Sequence, residues 1–502
     1  MSVIPPSPFS DPAPPASDLA LPVPGPDGAE VTFLQQGIWV TEQTGTAGTA
    51  YHMPLLVHLR GSRGITASSE VGMSSRGITA SSEVGMSSRG ITASSEVGMS
   101  SRGITALLEA CAAVVDRHAM VGSVVAEAGG GLRLVPGAPV PVRHMRVVWP
   151  EADRVLTGGD AAGAPGMDTA AGGSGAGGHA VGDPETWPEA VRRELLAPFD
   201  LDGGPLSRFI LIETGPGRHT LAFTAHHLVF DGHSKDILVR DLAALHNGER
   251  LAPLPALDHG RAERERVAAE LPAAREFWGA RWREPGETVV RGRALRSRRA
   301  AGGRTLRFTV NPVPVAGLTR FETFLAALHV LLAGYGNPVV TTAVDLSTRP
   351  AEAAGHIGVF VNELPVASCP DPADTFREFA AGLRAELREI YRFRRVPLSR
   401  ALPRLRPHAA LVPVSVSYRT RAVPDPVFSG LDCAVDRTVP NGSVRGALHL
   451  QCVDGPEGLT VALRHDPEAV PDAGEVAADL RLLLERAARD PGLRLRELRD
   501  AR

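Results

Sequence analysis

The chain has 502 residues, 43% of them hydrophobic and 22% charged, with a formal net charge of −3 at pH 7. Its 53 basic and 56 acidic residues exclude a strongly basic nucleic-acid binder or a protein steered to acidic membranes. The length exceeds the roughly 250–300 residues that one core sustains, so at least two cores are expected.

Cys111, Cys369, Cys433 and Cys452 are far apart and form no CxxC pair. They read as reduced, mostly buried thiols of a cytoplasmic protein, with no disulfide frame and no metal site. No apolar run approaches the ~18 residues of a membrane helix; LAALHVLLAGYG is short and contains His329.

In chain order, residues 1–30 are a Pro-rich stretch without a basic start or an apolar segment, which predicts a disordered leader and not a secretory signal. Residues 62–100 are three copies of SRGITASSEVGMS, too short and too poor in core positions for a solenoid. The reading is a looped-out tandem duplication between a strand ending at HLRG and a helix over Ile104, Leu107, Leu108, Cys111, Val114 and Val115. Residues 156–183 are Gly- and Ala-rich and predict a flexible loop. Their Gly173-x-Gly175-x-x-Gly178 lacks the flanking strand and helix of a dinucleotide site and is rejected.

Helical spacing returns at Phe321–Leu332, Phe376–Ile390 and Val476–Ala487. Strands are predicted over 208–213, 219–227, 337–344 and 411–418. The alternation indicates an α/β or α+β protein. A charged stretch near 258–300 is expected to separate two halves, 31–257 and 258–502.

The informative segment is LAFTAHHLVFDGHSKDILVRDLAALHNG, residues 221–248. Leu221, Phe223 and Ala225 alternate into His226-His227, and a short loop reaches Asp231-Gly232. A helix follows, with Ser234 expected as its cap, Asp236 in its first turn and Asn247-Gly248 at its end. Adjacent strand residues face opposite sides, so the two histidines cannot readily share a metal ion. A polar pair that closes an apolar strand is a candidate for chemistry.

The pattern His226-His227-x-x-x-Asp231-Gly232 resembles the HHxxxDG signature of condensation domains and their chloramphenicol-acetyltransferase-like relatives. Further segments resemble condensation-domain motifs in the same order: Leu34–Trp39, Val114–His118, Pro198–Leu201, Gly204–Leu206 and Ile357–Pro365. The resemblance to the nonribosomal-peptide condensation family spans most of residues 31–499. It implies two chloramphenicol-acetyltransferase-like subdomains in a V, with a central substrate tunnel.

In that family frame, His227 is the candidate base, with positioning the nucleophile or stabilising the tetrahedral intermediate as alternative roles, and Gly232 offers its N–H and close approach at the reacting centre. His226, Asp231 and Arg349 are structural, with Asp231 pairing to Arg349 across the halves. Asn362 and Ser443 belong to the substrate channel. No phosphopantetheine-attachment serine in a Gly-Gly-x-Ser-Leu setting and no adenylation or reductase signature is present, and the fold uses the length, so a free-standing enzyme that binds no cofactor itself is expected. An acyl or peptidyl carrier protein would supply a phosphopantetheine-tethered thioester, and a small-molecule or carrier-bound amine or alcohol would accept the acyl group.

This sequence departs from the family pattern at Ala119–Gly122, at Glu363 for a common threonine, and at Val366-Ala367. A coenzyme-A-dependent O- or N-acyltransferase, an epimerisation domain and a catalytically silent carrier-binding protein remain alternatives; heterocyclisation is disfavoured because that subfamily replaces the leading histidines with aspartate. Deleting 62–100 is expected to leave the protein folded and soluble; collapse of its cooperative melting transition would show that the repeat is structural.

Overall fold

The computed structural model describes residues 28–61, 101–128, 131–137, 140, 142–152, 184–310, 315–406, 408–421, 423–456 and 458–499. The expectations for residues 1–27, for the repeat at 62–100 and for the Gly-rich loop at 156–183 lie outside them.

Two sheets carry the two cores. The first has five strands in the order Leu431–Asp436, His52–Gly61, Arg218–His226, Ser207–Gly215 and Val142–Arg146. The strand that ends at His226 is central, so both edges are hydrogen-bonded and every residue from His219 to His226 is buried. Its register places His226 opposite His52. The helices Ser101–Arg117 and Gly232–His246 pack against each other on this half.

The second sheet has six strands: Arg304–Val310, Gly458–His465, Leu448–Gly455, Val414–Thr420, Val340–Ser347 and Val361–Ser368. It supports three long helices, Arg320–Gly334, Phe376–Tyr391 and Ala473–Arg489. All three coincide with the apolar periodicities of the sequence. Capping boxes start two of them: Thr319 and Glu322 exchange hydrogen bonds at one N-terminus, Thr375 and Glu378 at the other.

The stretch near 258–300 begins as a helix, His259–Arg281, that joins the halves instead of merely separating them. Its Val267, Ala274 and Trp278 enter the second core. Its Gly260 meets the first half, where an added Cβ would stand 2.0 Å from the Glu30 carbonyl oxygen, so only glycine permits that approach.

The chain also crosses back, an arrangement that a division at 258 does not describe. Leu431–Asp436 forms the outer strand of the first sheet, with Val435 opposite Val57. Ile357, Val359 and Phe428 lie in the first core. The added strand satisfies backbone groups that the edge of His52–Gly61 would otherwise expose.

All four cysteines are free. Cys111 and Cys452 are buried and Cys433 is partly so, but Cys369, at the end of an edge strand, is exposed. Because Phe428 anchors the return crossing inside the first core, Phe428→Ala is expected to cost about 3–5 kcal/mol in urea denaturation. A loss under ~1 kcal/mol would mean that the crossing is not anchored there.

Candidate active site

The two histidines end the central strand and diverge, as the alternation requires. The backbone N–H of His226 donates to Leu206 O and that of His227 to Tyr51 O, both at 2.8 Å, so neighbouring chain holds each residue. His226 is buried. Its Nδ1 accepts from the Leu228 N–H at 3.1 Å, which leaves the proton on Nε2 for Glu42 Oε1 at 3.0 Å. The Phe199 ring meets it edge-on at 5.8 Å. His226 therefore serves as a positioning residue.

His227 has the opposite tautomer. Its Nδ1 lies 2.7 Å from the Phe230 carbonyl oxygen, which can only accept, so Nδ1 carries the proton and Nε2 the lone pair. Burial, followed by the nearby Arg445, pushes the imidazole down to about 4, against the opposing pull of Asp231. The ring is neutral at pH 7 and has a free basic nitrogen.

Two cavities meet at this ring. One, of about 160 Å³, is lined by His227, Gly232, Asp345, Ser443 and Arg445, among others. The other, of about 380 Å³, is lined by His227, Tyr51, Asp345, Asn362, Glu363 and Arg445. His227, Asp345, Val361 and Arg445 form the wall common to both.

Asp231 holds the loop. Oδ1 accepts from the Ser234 N–H at 2.7 Å and its hydroxyl at 2.8 Å; Oδ2 accepts from the Phe360 N–H at 3.0 Å. Arg349 Nη2 stands 2.9 Å from both oxygens. The side chains of the pair are only 5% and 7% exposed, and the Arg349 guanidinium lies 4.1 Å above the Phe360 ring. Burial alone would raise the carboxyl, but Arg349 and the Ser234 and Phe360 donors outweigh it and hold Asp231 below the ordinary carboxylate range.

Two details of the loop differ from expectation, the cap and the place of Asp236. Asp231, not Ser234, is the N-cap of Gly232–His246. The earlier position wins because a carboxylate there satisfies the Ser234 amide and Arg349 together, while the Ser234 hydroxyl also donates to Gly358 O at 2.9 Å. Asp236 lies beyond the first turn and binds Arg419 and Arg437. Gly232 has no positive φ, and a Cβ there would meet only Arg419 Cδ at 3.7 Å.

The channel candidates reach the cavities with their polar groups engaged. Asn362 Nδ2 donates to Arg394 O at 2.9 Å and Val396 O at 3.0 Å. Ser443 Oγ donates to Ala301 O at 2.9 Å. The remaining motifs act as braces: Gln35 Nε2 donates to Leu228 O at 2.7 Å, and Arg117 and His118 both bind Asp241 Oδ2 on the helix after the loop.

Sequence reasoning missed Glu42, Tyr51, Asp345, Arg419, Arg445 and Arg464. A usable signal lay in the strands, where Ser415, Ser417 and Arg419, or His449 and Gln451, alternate with apolar residues. That alternation marks a polar sheet face. Among the described residues no cluster of His, Cys, Asp or Glu is arranged to hold a metal ion, and no helix is long and apolar enough to cross a membrane.

Fold and site together define the class: a mixed α/β protein built as two chloramphenicol-acetyltransferase-like halves, with a histidine loop at their junction. Residues 179–420 match the family model of the condensation domain. Chondramide synthase cmdD of Chondromyces crocatus is 27% identical over 339 residues, 61% of this chain and 9% of that protein. Bacitracin synthase 1 of Bacillus licheniformis is 27% identical over 217 residues, 40% of this chain and 4% of that protein. The chain thus spans less than a tenth of these relatives.

Two solved structures share the fold. The first condensation domain of the calcium-dependent antibiotic synthetase, in complex with a substrate analogue, matches with a TM-score of 0.67 at 17% identity, covering 93% of this chain and 98% of that one. The X-domain from teicoplanin biosynthesis matches with a TM-score of 0.64 at 20% identity, covering 95% and 98%. Over residues 179–420 the chain is thus similar to condensation domains.

Asp231→Ala is expected to lower stability by about 3–5 kcal/mol, because it strands the Arg349 charge and two amide donors. Chemical denaturation checks this, and an unchanged midpoint would show that the pair carries no stability.

Proposed function

We propose that the chain is an acyltransferase that joins a carrier-bound acyl or aminoacyl thioester to an amine or alcohol, forming an amide or an ester. The observation that carries this reading is the placement of a neutral His227, with Nε2 free, in the wall common to two cavities. Condensation domains as a family catalyse amide and ester bond formation, which agrees with a ring that two substrates can approach from separate sides.

The chemistry follows from the geometry. The acceptor N–H or O–H gives its proton to His227 Nε2 as its N or O bonds to the thioester carbonyl carbon. The carbonyl oxygen takes up negative charge near Gly232, at the positive N-terminal end of the helix Gly232–His246. The C–S bond then breaks, and the imidazolium returns its proton to the departing thiolate. The phosphopantetheine arm belongs to the partner carrier protein, which this reading supplies in trans. The chain's own residues hold the loop, position the base and exclude water.

The test is mass spectrometry of an acyl-loaded carrier protein incubated with the enzyme and a mixture of amine and alcohol acceptors. Loss of acyl mass from the carrier with a new amide or ester is expected, reduced about 10²–10⁴-fold in His227→Ala. Gly232→Ala is expected to melt normally, since a methyl group fits there, yet to lose turnover; unchanged turnover would remove Gly232 from the reacting centre. Transfer from acyl-coenzyme A alone would point to a coenzyme-A-dependent enzyme, and silence with both donors to a carrier-binding protein.

The pH profile is a further check. The base works when neutral, so with an alcohol acceptor kcat/KM should stay level from pH 8 to 5 and fall only as pH drops towards about 4. An acid limb centred near 6.5, the value of an unperturbed imidazole, would contradict the buried setting of His227.

A further inference from the structure

The second sheet turns a polar face towards the smaller of the two cavities. In its register Asp345 lies opposite Ser417, Ser417 opposite Gln451, and His449 opposite Arg464. All five line the cavity that contains His227. The step at His227 uses none of them, so this face is available for recognition.

Arg464 stands apart. Three arginines line the cavity, and two have acidic partners: Arg419 binds Asp236, while Arg445 lies 3.6 Å from Asp345 and 3.7 Å from Glu363. Arg464 has no carboxylate within 4.0 Å among the described residues. Its Nη2 donates to Gln451 Oε1 at 2.8 Å and Val439 O at 3.3 Å, and its Nε has no partner among the described residues. The nearby Asp436 is taken up by Arg307 at 3.5 Å.

An arginine does not give up its proton near neutral pH. Arg464 is therefore a cation on a largely enclosed surface, with repulsive neighbours in Arg307 and Arg445. Burying such a charge without a counter-ion is unfavourable unless a ligand supplies one. Lys235, on the wall of the same cavity, also lacks an acidic partner among the described residues; its Nζ donates to Pro54 O and Arg437 O, both at 2.7 Å. Arg464 and His227 line the same cavity of about 160 Å³, so one bound molecule can meet both.

We propose that this cavity takes a substrate with a carboxylate close to its reacting group, held by the Arg464 guanidinium beside Gln451. This proposal rests on the condensation reading above and names the substrate class. Two sources present that chemistry: an acceptor that is a free amino or hydroxy acid, or an acyl group with a free carboxylate end, as in a short dicarboxylic acid.

The experiment uses matched pairs in two arms. In the acceptor arm, a free amino acid is compared with its primary amide on one acyl-loaded carrier. In the acyl arm, succinyl- and butyryl-loaded carriers are compared with one neutral amine. A charge-assisted contact predicts a preference of roughly 10–100-fold in kcat/KM for the carboxylate member of one arm, expressed mainly in KM. Arg464→Gln should bring that ratio near one, and Arg464→Lys should keep part of it.

Equal use of both members in both arms by the wild-type enzyme overturns the proposal, as does an unchanged ratio in an Arg464→Gln protein that melts normally. If Arg464→Gln fails to fold, the wild-type ratios and Arg464→Lys decide. If no pair turns over, the condensation reading has failed, and calorimetric titration with glutarate against glutaramide tests the anion site alone. Tighter binding of glutarate, weakened in Arg464→Lys or Arg464→Gln, supports the site; equal or absent binding overturns it.

Discussion

The pairing of Asp231 with Arg349 is the constraint on which the site depends. One carboxylate begins the helix after the histidine loop, receives a guanidinium from the second half and accepts the Phe360 amide. These three tasks join the end of the first sheet to the strand Val361–Ser368 of the second. A buried pair of this kind gains little net stability over an apolar replacement, but losing one partner is costly. Its consequence is geometric: the loop that presents His227 cannot shift without also displacing the second half.

The two histidines divide the work through opposite protonation patterns. The Leu228 amide and Glu42 assign the His226 proton to Nε2, and the Phe230 carbonyl assigns the His227 proton to Nδ1. The chemistry follows from which atoms surround each ring, since the side chains are identical. His226 is tied off inside the first half. His227 stands where both cavities meet, and Arg445, flanked by Asp345 and Glu363, belongs to the same shared wall.

Much of the fold was legible because it rests on local periodicity. The three helices of the second half, the central strand and the Asn247-Gly248 stop all appear where apolar spacing and turn residues place them. The Asp231–Arg349 pair was accessible only through family resemblance, because 118 residues separate its members. The cap at Asp231 and the partners of Asp236 were not legible. Each depends on a distant group, Arg349 for one and Arg419 and Arg437 for the other, whose arrival alters the local preference.

By itself the sequence determined the order of helices and strands, the family motifs and the histidine at the end of a buried strand. Short-range patterns encode these features, since backbone periodicity and turn chemistry act over a few residues. Only the tertiary structure decided which histidine faces the cavities, how the chain returns to add Leu431–Asp436 to the first sheet, and which cavity-lining arginine lacks an acidic partner among the described residues. Those outcomes depend on contacts between residues far apart in the chain, where burial and charge are set by what packs nearby and not by neighbours in sequence.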